Sequence, residues 1–201
     1  MQIRKTVLSD LPRVMAIYDH ARKFMAANGN PRQWNTTWPP EELIRSDIAA
    51  GKSYVCVETR EAGITQGNPS CTSGEGDSGC GERQTAAGRQ EEKEAPAEEI
   101  LAVFYYACAP HAEPGYDHLE GTWTGSETYG GVHRIATSGN GKGVGSYCIQ
   151  WAYSQCHNLR MDTHPDNKVM QHTLLKNGFI YRGIVHVEED NDPRYAYEKL
   201  G

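Results

Sequence analysis

The stretch from His133 to Ala152, HRIATSGNGKGVGSYCIQWA, places glycines at alternate positions 139, 141, 143 and 145, after an apolar run and before a run of helical character. A strand, a glycine turn and a helix start bring backbone N–H groups together on an anion. Glycine admits the positive-φ conformations that aim those amides inward and carries no Cβ to block close approach. The helix N-terminus adds partial positive charge. Two phosphate motifs can be tested here. The P-loop, G-x-x-x-x-G-K-[ST], fails, because Gly141-Lys142 is followed by Gly143 and the residue five before Gly141 is Ala136. The dinucleotide fingerprint, G-x-G-x-x-G/A, is nearly met by Gly141-Lys142-Gly143-Val144-Gly145-Ser146, and Asp162 lies at a spacing suited to a ribose hydroxyl. The sequence after Ser146 ends in consecutive strands, however, and a doubly wound sheet has no room. His133, just before the turn, is of the residue type that titrates nearest neutrality and is a candidate base; its other reading is a packed or hydrogen-bonded histidine.

These residues need elements to hold them. QIRKTV (2–7) predicts a short strand. Ser9 or Asp10 can cap a helix with Pro12 in its first turn, and Leu11, Val14, Met15, Tyr18 and Met25 recur at helical spacing. A shorter helix follows Pro39-Pro40 and stops at Gly51. SYVCVE (53–58) and ILAVFYY (100–106) read as strands of a hairpin, followed by an aromatic-rich loop (107–130), a strand VHRIA (132–136), the glycine turn and a helix at about 143–157. NLRMDTH (158–164) is a strand, Asp166 can cap a helix ending before Gly178, and FIYRGIVHV (179–187) and YAYEKL (195–200) are the last strands. The order β-α-α-β-β-β-α-β-α-β-β, with hairpins early and late and a βαβ unit between, predicts an α/β fold: a mixed, mostly antiparallel sheet with a central parallel strand pair, flanked by helices.

The 201 residues suffice for one domain with a real core, and the expectation is a single domain over 1–201. Residues 59–99 stand apart: rich in Gly, Ser, Gln and Glu, nearly devoid of large apolar side chains, with nine acidic and four basic residues. They account for −5 of the net charge of −6, so the remainder is close to neutral. Such a segment cannot bury enough apolar surface to offset its ordering entropy, and a disordered loop stretching the hairpin is expected, at a cost that grows only logarithmically with length. The mild acidity argues against a nucleic-acid partner. No run of eighteen apolar residues exists to span a membrane, and the first residues lack a signal-peptide core. Six cysteines occur, none in a C-x-x-C pair; Cys56, Cys108 and Cys148 sit in apolar runs as buried thiols do. A cytoplasmic, disulfide-free protein without a metal follows as the expectation, and a homodimer is an assembly it allows.

Asn140-Gly141-Lys142-Gly143-Val144-Gly145 resembles the Q/R-x-x-G-x-G/A turn of the GNAT superfamily of acyl-CoA-dependent N-acyltransferases, with Asn in place of Gln or Arg. LRMDTHPDNKVMQHTLLKNGF (159–179) is similar to that family's fifth strand, the next helix with Asn at its start, and the closing Gly-Phe. The likeness spans about residues 1–58 and 100–201. GNPRQWNTTWPP, VHRIA and DTHPDNKVMQ together look like a subgroup of small bacterial-type members without an assigned substrate.

The resemblance implies a function: transfer of an acetyl group from acetyl-CoA to a primary amine of a small molecule or protein, by direct attack. It implies that the pyrophosphate lies on the amides from Gly141 to Ser146 (Lys142, Gly143, Val144 and Gly145 between them), with Asn140 beside the turn. The pantetheine would run along Ile135, Ala136 and Thr137, and Asn167 would reach it from its helix start, unless Asn167 only caps its own turn. His133 is the first candidate base, Asp162 and His164 the runners-up; Asp162 could equally pair with Arg134 or Arg160. Members often carry an acidic tyrosine four residues before the closing glycine, where this chain has Leu174; Tyr181 and Tyr147 are possible substitutes. The acceptor pocket would draw on Trp34, Trp38, Tyr116, Asp117, Glu120, Trp123 and Tyr129, aromatics and carboxylates that suit a cationic amine. Leu174 favours an alternative, a catalytically weak acyl-CoA-binding regulatory or adaptor protein.

Overall fold

A computed structural model describes residues 1–59, 98–186 and 192–201. The chain runs through β1 (Gln2–Lys5), α1 (Leu11–Ala27), α2 (Glu41–Ala49), β2 (Ser53–Thr59), β3 (Glu98–Pro110), a 3-10 turn (Pro114–His118), and the two-residue β4 (Glu120–Gly121). It continues through β5 (Thr128–Thr137), α3 (Val144–Cys156), β6 (Asn158–Thr163), α4 (Lys168–Lys176), β7 (Ile180–His186) and β8 (Pro193–Leu200). The strands form one eight-stranded sheet in the order β1-β2-β3-β5-β6-β8-β7-β4. All pairings are antiparallel except β5 with β6. The expected mixed sheet with a central parallel pair is what the chain forms.

The helices cover both faces. α1 presents Leu11, Val14, Ile17, Tyr18 and Met25, at helical spacing, to one face, where Val55, Val57, Val103 and Ala136 join them. α3 buries Val144, Cys148, Ile149 and Ala152 against the other, with Phe104, Leu159, Met161 and Leu174 of α4. A third cluster, Tyr116, Tyr129, Val185 and Ala196, closes the sheet beneath the segment after β3.

The parallel pairing is confined to Gly130↔Leu159 and Gly131↔Arg160. Beyond those rungs β5 bonds only to β3, and β6 only to β8. The sheet is therefore split along its middle, and the split opens toward the end of β5 that carries the glycine turn. Gly130 sits at the vertex because nothing larger fits: a Cβ there would meet Cys156 Sγ at 2.7 Å, a Tyr106 ring carbon at 2.9 Å and Leu159 Cδ1 at 3.0 Å.

Several boundaries differ from the sequence expectation. The loop expected over 107–130 is shorter by its two ends, since β3 runs to Pro110 and β5 begins at Thr128. The Gly130-Gly131 pair is a site of close approach. The ends of the 59–99 insert are also strand, with Thr59 paired to Glu98. Residues 60–97, with Cys71, Cys80 and the expected disorder, lie outside the described residues. Asn167, not Asp166, caps α4. Cys56 and Cys148 are buried free thiols as expected, but Cys108, near the end of β3, is exposed.

Candidate active site

The split between β5 and β6 opens into a cavity of about 970 Å³ lined by both strands, by α1, α4 and the first turn of α3, and by the segment after β3. At one end stands the glycine turn. Gly139, Gly141 and Gly143 have φ of 83°, 83° and 79°, a left-handed backbone that L side chains adopt only with strain. Gly143 caps α3, and the next residue, Val144, is buried and anchors the helix start in the core. A Cβ on Gly139 would come within 2.7 Å of His20 Nε2, whereas one on Gly143 would meet nothing within 4 Å. The turn thus packs on α1 through Gly139 and faces open space at Gly143, beside Gly145 and Ser146 on the cavity wall. Asn140 turns away and donates from Nδ2 to Glu99 Oε1 at 2.8 Å. Lys142 is exposed on the turn.

Midway, β5 is bulged. Its register with β3 shifts between Val103 and Tyr105, and opposite the shift Arg134 has a φ of 52°. Such a conformation persists only when its surroundings hold it. Here Arg134 Nη2 donates to Asp47 Oδ2 of α2 at 2.8 Å, its guanidinium lies 4.6 Å from the Tyr105 ring centre, and Tyr18 Oη donates to the Arg134 carbonyl at 3.1 Å. Burial pushes the Asp47 carboxyl above its ordinary value, although the neighbouring Arg134 pulls it back. The bulge re-aims the backbone from His133 to Thr137, all of which line the cavity.

Beyond the bulge lies the titratable cluster. His133 Nε2 is 3.2 Å from Glu113 Oε2, and His133 Nδ1 is 3.8 Å from Asp162 Oδ1 on β6. Tyr116 Oη donates to the same Asp162 oxygen at 2.7 Å. Burial, then that carboxylate, holds the Tyr116 phenol well above its ordinary value, so it remains a donor. Glu113 is itself fixed: the buried Tyr129 hydroxyl accepts from its N–H at 3.0 Å and donates to its C=O at 3.1 Å.

Of the residues singled out in the sequence, His133, Asp162, Ile135, Ala136, Thr137, Gly143, Gly145, Ser146, Asn167, Trp34, Trp38 and Tyr116 all line this one cavity. Asn167 caps its helix, Oδ1 accepting from Met170 N at 3.0 Å, and its Nδ2 donates to Gln33 Oε1 across the cavity at 3.0 Å. Asp162 pairs with neither arginine suggested for it; Arg160 bonds to Glu198 and Arg134 to Asp47. Others are placed elsewhere. Tyr181 is exposed on β7, its ring edge-on to Tyr195 and Tyr197. Glu120 is exposed on β4 beside His186. Trp123 covers the Arg160 guanidinium and donates from Nε1 to the Tyr116 carbonyl. Tyr147 donates to the Met1 carbonyl, and His164 is buried, its Nδ1 accepting from Asp166 N. Leu174 is fully buried, and its neighbour Thr173 lines the cavity while its Oγ1 donates to the Val169 carbonyl at 2.8 Å.

Sequence reasoning missed Glu113, Gln33, Thr163, Thr173 and Lys176, all of which line the cavity. Gln33, Thr163, Thr173 and Lys176 lie inside the stretches that carry the resemblance, where nothing marked them out from their neighbours, and Glu113 is one carboxylate among several in its segment. Thr163, 1% exposed, has an Oγ1 without a hydrogen-bond partner among the described residues. Among those residues no group of three or more His, Cys, Asp or Glu is placed to share a metal ion, and no helix is long and apolar enough to cross a membrane.

The fold was compared with solved structures. An acetyltransferase of the GNAT family from Streptococcus agalactiae is 25% identical, with 100% of this chain and 95% of that one covered at a TM-score of 0.70. The chain has the fold of GNAT-family acetyltransferases, and this likeness supports an acyltransferase of that type. More distant GNAT neighbours share the fold: a ribosomal-protein-alanine N-acetyltransferase from Brucella melitensis (14% identical, 100% of both chains, TM-score 0.52) and a chain of the NatC complex bound to Gag peptide and CoA (12% identical, 100% of this chain and 99% of that one, TM-score 0.50). No protein-family model and no curated protein matches this sequence.

Proposed function

We propose that this protein moves an acetyl group from acetyl-CoA to a primary amine of a small molecule or a protein, by direct attack of the amine on the thioester. The observation that carries the reading is the cavity along the split sheet, with a left-handed glycine turn at one end and His133 between two carboxylates at the other. The turn suits the diphosphate of CoA. Gly143 leaves open space where a Cβ would stand, and the first amides of α3 point out of a helix N-terminus. The pantetheine arm fits the split, where β5 and β6 no longer bond to each other; Asn167 Nδ2 and the orphaned Thr163 hydroxyl are polar groups it can meet there.

The reaction needs a neutral amine, a donor for the tetrahedral oxyanion and a proton for the departing thiolate. His133 is assigned the first task, with Asp162 as the runner-up. The bulged backbone around Arg134 is the candidate source of an oxyanion donor. No enzyme nucleophile is required, and Cys56 and Cys148 lie in the core away from the cavity. Trp34 and Trp38, tilted against each other at 5.6 Å, and Tyr116 supply aromatic walls for the acceptor.

The test is release of free CoA thiol from acetyl-CoA, followed with a thiol reagent against a panel of polyamines, amino acids, aminoglycosides and N-terminal peptides, beside calorimetric titration with CoA. Binding with amine-dependent turnover supports the proposal. Binding without turnover on any amine points to the acyl-CoA-binding regulatory reading, and no heat with CoA removes both.

A further inference from the structure

We infer that Glu113 is the positioning residue that fixes the tautomer of His133, so that Nδ1 is the atom that takes the acceptor's proton. The inference rests on the acyl-transfer reading above and adds to it which nitrogen acts and what aims it.

The geometry around the ring is asymmetric. Glu113 Oε2 faces Nε2 at 3.2 Å, and Asp162 Oδ1 faces Nδ1 at 3.8 Å, beyond hydrogen-bond reach. In a neutral imidazole one nitrogen carries the hydrogen and the other a lone pair, and the choice follows from what each nitrogen meets. The contact is an ion-pair approach rather than an aligned hydrogen bond, and the nearer negative charge still favours the hydrogen on Nε2. The lone pair is then on Nδ1, looking across a gap at an oxygen that is also an acceptor. Two acceptors 3.8 Å apart leave that gap short of a donor, and an incoming ammonium supplies N–H groups to both.

The supports of Glu113 are built rather than incidental. The Tyr129 hydroxyl, wholly buried, closes on both its N–H and its C=O. Trp123 Nε1 secures the Tyr116 carbonyl of the same segment, and His111 Nδ1 and Asp117 Oδ1 lie 2.8 Å apart within it. On β5, Gly131 leaves room for the imidazole, since a Cβ there would stand 3.1 Å from His133 Nε2. The Tyr105 and Tyr116 rings flank the imidazole with centroids 5.7 and 5.9 Å away, and Asp47, paired to Arg134, is the charged group of α2 that acts on it through space.

The protons balance as follows. The ammonium of the acceptor gives one proton to Nδ1, the freed amine forms the N–C bond to the acetyl carbon, and the C–S bond breaks as the intermediate collapses. The second nitrogen-bound proton goes to the departing thiolate, giving free CoA. The proton on His133 returns to solvent, so each turnover yields one N-acetyl amine, one thiol and one proton.

The test uses the full chain. Imidazole 15N spectra of selectively labelled protein, assigned with His133→Ala, report which nitrogen of His133 carries hydrogen in its neutral form. Glu113→Gln keeps size and the Tyr129 contacts to the main chain while removing the charge. The expected results are an Nε2–H tautomer in the parent, its loss in Glu113→Gln, and a kcat about 10- to 100-fold lower in that variant with an unchanged KM for acetyl-CoA, as befits a misdirected base; Glu113→Asp should recover part of both signals. An Nδ1–H tautomer in the parent overturns the inference. So does a parent that acetylates amines with Glu113→Gln equally fast, which leaves the acyl-transfer reading standing. A parent that binds CoA but acetylates no amine removes that reading, and the inference with it.

Discussion

Replacing Gly143 by tryptophan separates the stability of the turn from its ability to hold a ligand. Gly143 has a φ of 79°, so any L-residue there costs about 1–2 kcal/mol in backbone strain. No heavy atom lies within 4 Å of the added Cβ, so no clash adds to that cost. For a chain of this size the melting temperature should therefore fall by about 2–8 °C, with Gly143→Ala falling as far. Binding should respond on another scale. The indole would project into the space proposed for the diphosphate and block charge-assisted bonds worth about 1.5–3 kcal/mol each. Losing two of them raises the dissociation constant for CoA roughly 10²- to 10⁴-fold, at about 1.4 kcal/mol per decade. Thermal melting and calorimetric titration on the same preparations read both numbers. A tryptophan variant that melts as expected and binds CoA like the parent refutes the assignment of the turn.

Other outcomes follow from the same geometry. Saturating CoA, at about 100 times its dissociation constant, should stabilise the parent by about 2.7 kcal/mol in thermal melts, whereas NAD should not. His133→Ala should lower kcat about 10²- to 10⁴-fold at saturating acetyl-CoA while CoA affinity measured by calorimetry holds. Arg134→Met strands the buried Asp47 carboxylate and should cost about 3–5 kcal/mol at neutral pH. Burial already holds that carboxyl above its ordinary value, so the loss should shrink as acid protonates it, read by urea melts across pH. Glu198, 0% exposed, accepts from Thr124 N and Oγ1, Gly125 N, Arg160 Nε and Arg182 Nε. Although burial works against it, these donors hold its carboxyl below the ordinary glutamate value. Its contribution is present above that value and is lost as pH falls through the depressed one; Glu198→Gln should cost about 3–5 kcal/mol at neutral pH, and the gap to the parent should close in acid.

What the sequence conveyed and what it withheld have physical reasons. The glycine turn was legible because positive φ leaves a compositional trace, and the helices because apolar spacing in α1 repeats the turn of the helix. The cap of α4 was expected at Asp166 and stands one residue on, because Asp and Asn are equally suited to one. The segment after β3 was not. Its extent as strand depends on Gly130 and Gly131 accepting close neighbours, which local sequence writes in the same letters as a loop. Tyr181, Glu120 and Trp123 were grouped with the site by residue type and neighbourhood, yet strand alternation and the Arg160 guanidinium set where they stand. Glu113 gave no signal, because its significance comes from Tyr129, sixteen positions on, and from a ring on a strand it meets only in space.

The split sheet is a wedge whose vertex touches no reactant. At Gly130 three neighbours leave no space for a methyl group, so β5 and β6 are pressed together there and part only beyond it. Lengthening the side chain at that point would act as a spacer in a hinge. The far ends of both strands would swing, and with them the reach from the glycine turn on one blade to Asp162 on the other. On the proposed reaction, the span over which thioester and amine would meet is thus set by a residue outside the cavity lining.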